Sequence, residues 1–397
     1  MGIISMASIP LVMTLGNSML IPVLPDIQKQ LHITSFQSSM LITSYSIASI
    51  LLIPIAGYLS DRWGRKQIII PSLFLVLLGG LVSGFASWKM KDPYGIIIAG
   101  RILQGVGASG AFPIVLPLVG DLFKSDAQAS SCLGIIETSN TFGKVLSPVL
   151  GALLGAAIWF LPFFMIAALS LISIVLVFFF IKTPPKKKGE CLPFKKFLKT
   201  TQRIFQKEGR WLYTLFLVGG FAMFILFALQ VYLSTDLEEQ FHMKGVKKGL
   251  VLAIPLLFLC ISSLISSKAI KGSKTLMKNT IILGLLMQVF SLLFFRKYES
   301  ILLLVLLFTV NGIAIGIILP ALDALITENI EKSHRGLITS FYSSARFFGV
   351  AAGPLAMSAI YDKPMFIPVL FANVFTVLLI ILVIKKIKVD GTEEPTS

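Results

Sequence analysis

Charge is scarce in this 397-residue sequence: Asp, Glu, Lys and Arg together make up 14% of it, against about a quarter in soluble domains. That shortage excludes a water-facing surface over most of the chain. Cysteine and histidine are equally rare, with three of each. Cys132, Cys191 and Cys260 show no Cys-x-x-Cys spacing, and His32, His242 and His334 are scattered. A disulfide framework, a zinc site and haem ligation are therefore excluded. No phosphate-binding Gly-Lys-Ser/Thr loop occurs, and Gly272-Ser-Lys274 does not make one. His, Asp, Glu and Cys do not gather at one depth, as an active site would need. The expectation is a protein that is not an enzyme and holds no metal and no cofactor.

What is abundant is apolar. Hydrophobic residues make up 55% of the chain, 31 of them Phe, and the mean hydropathy is +0.87. The solvent of such a chain is mostly lipid. The formal charge is +16, but the cations lie between apolar runs, which favours a membrane over nucleic acid as the partner. About twenty apolar residues span a bilayer. Twelve such runs can be drawn, over 3–25, 36–60, 67–87, 93–121, 127–156, 158–181, 211–234, 245–268, 276–295, 299–327, 333–360 and 365–385. The first has no Lys or Arg before it and no small-residue cleavage site after it, so it reads as a membrane helix and not a leader. With the N-terminus inside, 23 Lys and Arg fall in cytoplasmic segments, 9 outside and 3 within helices, which predicts both termini in the cytoplasm.

The long hydrophilic segment, Lys182 to Arg210, carries Lys186-Lys187-Lys188, Lys195-Lys196 and Arg203. It is expected to be a basic cytoplasmic linker loop, either contacting anionic lipid heads or simply solvated. It divides the chain into bundles at 1–181 and 211–385, followed by a tail at 386–397. The two halves repeat. Asp26-Ile-Gln-Lys-Gln-Leu-His32 ends the first run, and Asp236-Leu-Glu-Glu-Gln-Phe-His242 ends the seventh. Gly105 and Pro113 recur as Gly312 and Pro320, Asp121 as Glu328, and Gly143 and Pro148 as Gly349 and Pro354. Two repeated halves suit a transporter that rocks about a midplane site.

Between the second and third runs stands Gly57-Tyr-Leu-Ser-Asp61-Arg62-Trp-Gly64-Arg65-Lys66. Gly57 and Gly64 suit close helix approach and a tight turn. Asp61 at a helix end can meet Arg65 or the N-terminus of another helix. This G-x-L-x-D-R-x-G-R-K pattern resembles the loop signature of the major facilitator superfamily. The resemblance implies a cytoplasmic latch that also engages the acidic residue ending helix 4, here Asp121. The matching loop of the second half, Lys268 to Lys274, has Ala269 in place of Asp, so an asymmetric latch is expected. Arg101-Ile-Leu-Gln104-Gly105 resembles the family's helix 4 signature, in which the Arg is linked to proton movement; a structural pairing is the other reading. Gly134, Gly143, Ser147-Pro148 and Gly151-Ala152 resemble the family's helix 5 antiporter motif at four of six positions, with Ser147 and Ala152 replacing glycines. That motif implies export.

Ionisable groups deep in apolar runs are functional candidates. Glu137 and Lys144 lie seven residues apart, on one face of a helix, and Arg346 lies in the eleventh run. Glu137 is the proton-carrier candidate, the alternative being a permanent ion pair with Arg101, Lys144 or Arg346. Asp323, closer to a helix end, is a further candidate. Three deep cations against one deep anion favour anionic or zwitterionic cargo. Phe221, Phe224, Phe227, Phe341, Tyr342 and Phe347 are expected to line a pocket, face lipid or pack between helices.

The resemblance covers essentially the whole chain and points to the twelve-helix drug:proton antiporter branch. The fold it implies is an all-α integral membrane protein of two six-helix bundles with pseudo-two-fold symmetry. The function it implies is proton-coupled antiport exporting small amphiphilic molecules or drugs by alternating access. The alternative is transport of an anionic metabolite such as a carboxylate, sugar derivative or siderophore. The expected partners are cargo, protons and membrane lipids, with no nucleic acid. The expected form is a monomer in a bacterial plasma membrane.

Overall fold

The computed structural model describes residues 1–123, 126–181, 194–270, 273–295, 300–330, 332–361 and 363–387. Among the described residues it is all helix and connecting turns, with twelve long helical segments. In the first half these are α1 (Gly2–Leu31), α2 (Ser35–Trp63), α3 (Arg65–Lys89), α4 (Tyr94–Leu122), α5 (Asp126–Ala157) and α6 (Leu161–Phe180). In the second they are α7 (Phe194–Glu239), α8 (Gly245–Ala269), α9 (Lys274–Leu293), α10 (Ile301–Asn329), α11 (Lys332–Ile360) and α12 (Phe366–Lys386). Ten are long and apolar enough to cross a membrane. The other two, α5 and α11, carry the charges at Glu137, Lys144 and Arg346 but are as long as their neighbours. Both described chain ends lie on one face, called here the termini face.

The expected loop at 182–210 needs correction. From Phe194 onward the backbone is helical and continuous with the seventh span; residues 182–193 and the tail from 388 lie outside the described residues. The physical reason is composition: Phe194 to Arg210 holds no Pro, and its Lys, Gln, Arg and Leu are good helix formers.

Helix breaks follow proline. α1 tightens to a 3-10 turn at Ile21–Val23, between Ser18 and the short helix Leu24–Leu31 that holds Pro25. α4 breaks after Ala111 and resumes at Val115, where Pro113 removes a backbone donor. Its repeat partner Pro320 stays inside the unbroken α10. Thr34 opens α2 with a capping box closed by Gln37.

The internal repeat is visible in geometry. His32 and His242, at matching positions, both take left-handed φ of 51° at the ends of their helices. Gly105 lets α4 approach the Tyr45 carbonyl of α2, and its repeat Gly312 lets α10 approach the Pro255 carbonyl of α8. A Cβ at either site would collide with backbone. Lys66 donates to the Phe178 and Ile181 carbonyls at 2.7 Å, tying α3 to the end of α6. Lys278 does the same from α9 to the Ile384 carbonyl of α12 at 2.9 Å.

The halves meet along α2 against α11 and α5 against α8. Thr43 donates to the Ala351 carbonyl at 2.8 Å and Ser344 to the Ile50 carbonyl at 3.2 Å. Opposite the termini, the apolar core of the second half is continuous with Leu20, Ile21, Val23 and Ile27 of α1.

A candidate cargo cavity between two ionic clusters

A cavity of about 580 Å³, part of it open to solvent, lies between the halves. Its first-half wall is Met13, Thr14, Asn17 and Ser18 of α1, Tyr45 of α2, Phe112 beside the α4 break, and Asn140 and Lys144 of α5. Across it stand Met223 and Phe227 of α7 and Ser343, Arg346, Phe347 and Val350 of α11. Apolar rings and thioethers thus face two cations and a few neutral polar groups, a composition suited to an amphiphile.

Of the five deep charges singled out from sequence, Lys144 and Arg346 line this cavity. Arg346 pairs with Asp323 of α10 at 3.5 Å and lies 5.5 Å from the Tyr342 ring. The Asp323 side chain keeps 36% of its exposure. Glu137 sits one layer back, where Oε1 accepts from Asn140 Nδ2 at 3.2 Å. Asn140 in turn accepts from Thr14 at 2.6 Å, so the carboxylate connects to the wall through a neutral amide. Lys144 is buried and its Nζ has no hydrogen-bond partner.

Arg101 is elsewhere. It is fully buried in a cage of neutral acceptors: the Leu41 carbonyl at 2.7 Å, the Gly16 carbonyl at 2.8 Å, Gln104 Oε1 at 2.5 Å and Asn17 Oδ1 at 3.4 Å. Its guanidinium lies 4.8 Å from the Tyr45 ring. These contacts join α4 to α1 and α2, and the planar fork of Arg matches such divergent carbonyls in a way Lys cannot. It meets the cavity wall from behind, through Asn17 and the Tyr45 ring.

The loop signature forms its cluster within the first half. Arg65 bonds Asp61, Ser60 Oγ at 2.7 Å and Asp121 at 3.0 Å. Gly64 makes the turn with φ of 109°, and a Cβ on Gly57 would lie 3.1 Å from Ser340 of α11. Arg62, in the last turn of α2, is exposed. In the helix 5 motif, a Cβ on Gly143 would touch Leu11 and Thr14 of α1, and one on Gly151 would meet the Met19 carbonyl. Ser147 closes onto the Gly143 carbonyl at 2.7 Å. The Pro148 carbonyl faces Gly249 across the half interface. Gly134 is the exception: a Cβ there would meet nothing within 4 Å, so close packing does not explain that glycine.

Sequence reasoning missed a second cluster, at the face opposite the termini. Glu238 of α7 receives Lys29 of α1 and, at 2.9 Å, Lys248 of α8. Lys248 also donates to the Pro22 carbonyl of α1 at 2.8 Å, and Ser234 donates to the Ile21 carbonyl at 3.0 Å. The Glu238 and Lys248 side chains are each 2% exposed. The available signal was a carboxylate and a lysine flanking one short turn, next to the Asp…His repeat.

The chain matches the model of the Major Facilitator Superfamily over residues 6–278 and again over 215–397. It belongs to that family. The Bacillibactin exporter of Bacillus subtilis (strain 168) is 48% identical over 394 residues, covering 99% of this chain and 98% of the relative. The class C tetracycline resistance protein of Escherichia coli is 25% identical, covering 87% and 86%. Multidrug resistance protein 2 of Bacillus subtilis (strain 168) is 24% identical, covering 90% and 88%. The crystal structure of the human organic anion transporter MFSD10 (TETRAN) superposes with a TM-score of 0.75 at 20% identity, covering 96% of this chain and 98% of that one, and shares the fold. The chain is a multi-pass membrane protein, a secondary transporter that exports small molecules, and not an enzyme.

Proposed function

We propose that this chain exports a small amphiphilic anion of the siderophore kind in exchange for protons, working as a monomer among membrane lipids. In this reading the termini face is cytoplasmic and the membrane is the bacterial plasma membrane. The observation that carries the proposal is the cavity, with Lys144 and Arg346 set among Tyr45, Phe112, Phe227 and Phe347. An anionic head and an apolar body are both accommodated there. The 48% identity to a bacillibactin exporter supports the same cargo class, and the excess of Lys and Arg on the termini side supports the orientation.

Asp323 is the favoured proton-exchanging group. It is bound to a cavity cation yet retains 36% of its side-chain exposure, so water can deliver or remove a proton. Glu137 is second, joined to the wall through Asn140. Moving one negative charge out of an inside-negative cell gains about 2.3 kcal/mol per 100 mV, so the membrane potential assists the same cargo. A second reading, export of several amphiphilic drugs, is favoured by the likeness to tetracycline and multidrug resistance proteins and by the aromatic wall.

The test is proton flux in everted vesicles with a pH-sensitive dye, as organic anions, neutral amphiphiles and cationic dyes are added in turn, with the potential clamped. Anion-triggered proton release in wild type, lost in Asp323→Asn and reduced in Glu137→Gln, is expected. Anion uptake that follows the potential and moves no protons would remove the antiport. A flux triggered by cationic dyes alone would move the cargo to drugs.

A further inference from the structure

Two cations line the cavity, and they are not equivalent. Arg346 is committed to Asp323 at 3.5 Å and to the Tyr342 face. Lys144 is 7% exposed, and its ammonium has no hydrogen-bond partner. The charged groups within electrostatic reach are Arg346, Glu137 and Asp323. Asp323 is taken by Arg346, and Glu137 accepts from Asn140. A buried ammonium left without an acceptor is strongly unfavourable, and an unsatisfied polar group in a native cavity calls for a partner that completes it. Lys144 is in the middle third of α5, directly in the cavity wall. Thr14 and Asn140, which could have turned toward it, are bonded to each other.

We infer that Lys144 is the anchor for an anionic oxygen of the cargo, a carboxylate or phenolate, and that it sets the transporter's preference for anions over neutral and cationic amphiphiles. The apolar body of the same molecule then rests against Met13, Phe112, Met223 and Phe347, within reach of that one head-group contact. This assignment rests on the reading that the cavity between the halves holds the cargo, and it requires no proton coupling.

Binding to the purified full-length protein in detergent tests it, using three pyrene probes that share one ring system: pyrenebutyrate, neutral pyrenebutanol and a pyrenebutyl trimethylammonium salt. Wild type is expected to bind the anion at least about tenfold more tightly than the alcohol. Lys144→Met is expected to abolish that ratio while leaving the alcohol's affinity within about threefold, and Lys144→Arg to retain most of the ratio. Should Lys144→Met fail to fold, Lys144→Gln carries the same expectation. A wild type that does not prefer the anion, or an anion preference that survives loss of the ammonium, overturns the assignment. Binding is read without a gradient, so a failed vesicle flux with an intact anion preference would remove the antiport and leave the anchor standing.

Discussion

Two ionic clusters stand at opposite faces of this transporter, and they differ in the features that decide what a salt bridge is worth. On the termini face, Arg65 holds Asp61 and Asp121, whose side chains are 57% and 50% exposed; all three belong to the first half. On the other face, Glu238 and Lys248 are 2% exposed and tie α7 and α8 to α1 through Lys29 and the Pro22 carbonyl. Exposed pairs contribute little because water and salt screen them. A buried pair is costly to assemble and more costly to break on one side only. The exposed cluster therefore shapes one bundle, while the buried one holds the two bundles together. Alternating access must rehydrate it whenever the face opposite the termini opens.

The largest effect expected is from Glu238→Gln, which strands a buried ammonium. A stability loss on the order of 3 kcal/mol is anticipated from thermal unfolding in detergent. Modification of a Ser18→Cys reporter by a membrane-impermeant thiol reagent should also speed up, in a background with the native cysteines replaced. If the reporter is no more accessible, the cluster is not a gate. The double change Glu238→Gln with Lys248→Met should be milder than Glu238→Gln alone, since the charge then left without Glu238 is Lys29, which is 61% exposed and solvated; a strictly additive loss in the same unfolding assay would contradict that account. Arg101→Lys should cost about 2 kcal/mol by losing divergent carbonyl contacts without changing probe discrimination in the cavity. A changed cargo preference would place Arg101 in the site after all. Smallest should be Arg65→Ala, at about 1 kcal/mol or less, with a salt dependence of transport weaker than in wild type. A loss as large as that of Glu238→Gln would erase the contrast between the two faces.

Much of the architecture was legible because lipid leaves few options. Backbone groups must be satisfied within each span, so apolar runs became helices, and the repeated Gly, Pro and Asp…His positions announced two related bundles. The loop signature was legible too, since Gly64 needs its positive φ and Arg65 its two carboxylates. Arg101, Lys144 and Arg346 read from sequence as one group of deep cations. The structure separates them into a caged guanidinium, an unpartnered ammonium and an arginine bound to Asp323. Lys248, inside the run at 245–268, drew no separate reading from sequence and is buried against Glu238. The segment 194–210, read as a loop, is helix.

The sequence by itself determined solvent, span number, duplication and family, because these follow from composition and local spacing. Which charges share a partner was decided only by tertiary structure. A side chain's rotation about its helix and the carbonyls brought to it by distant residues, as Pro22 is brought to Lys248 from 226 positions away, are properties of packing that no local pattern encodes.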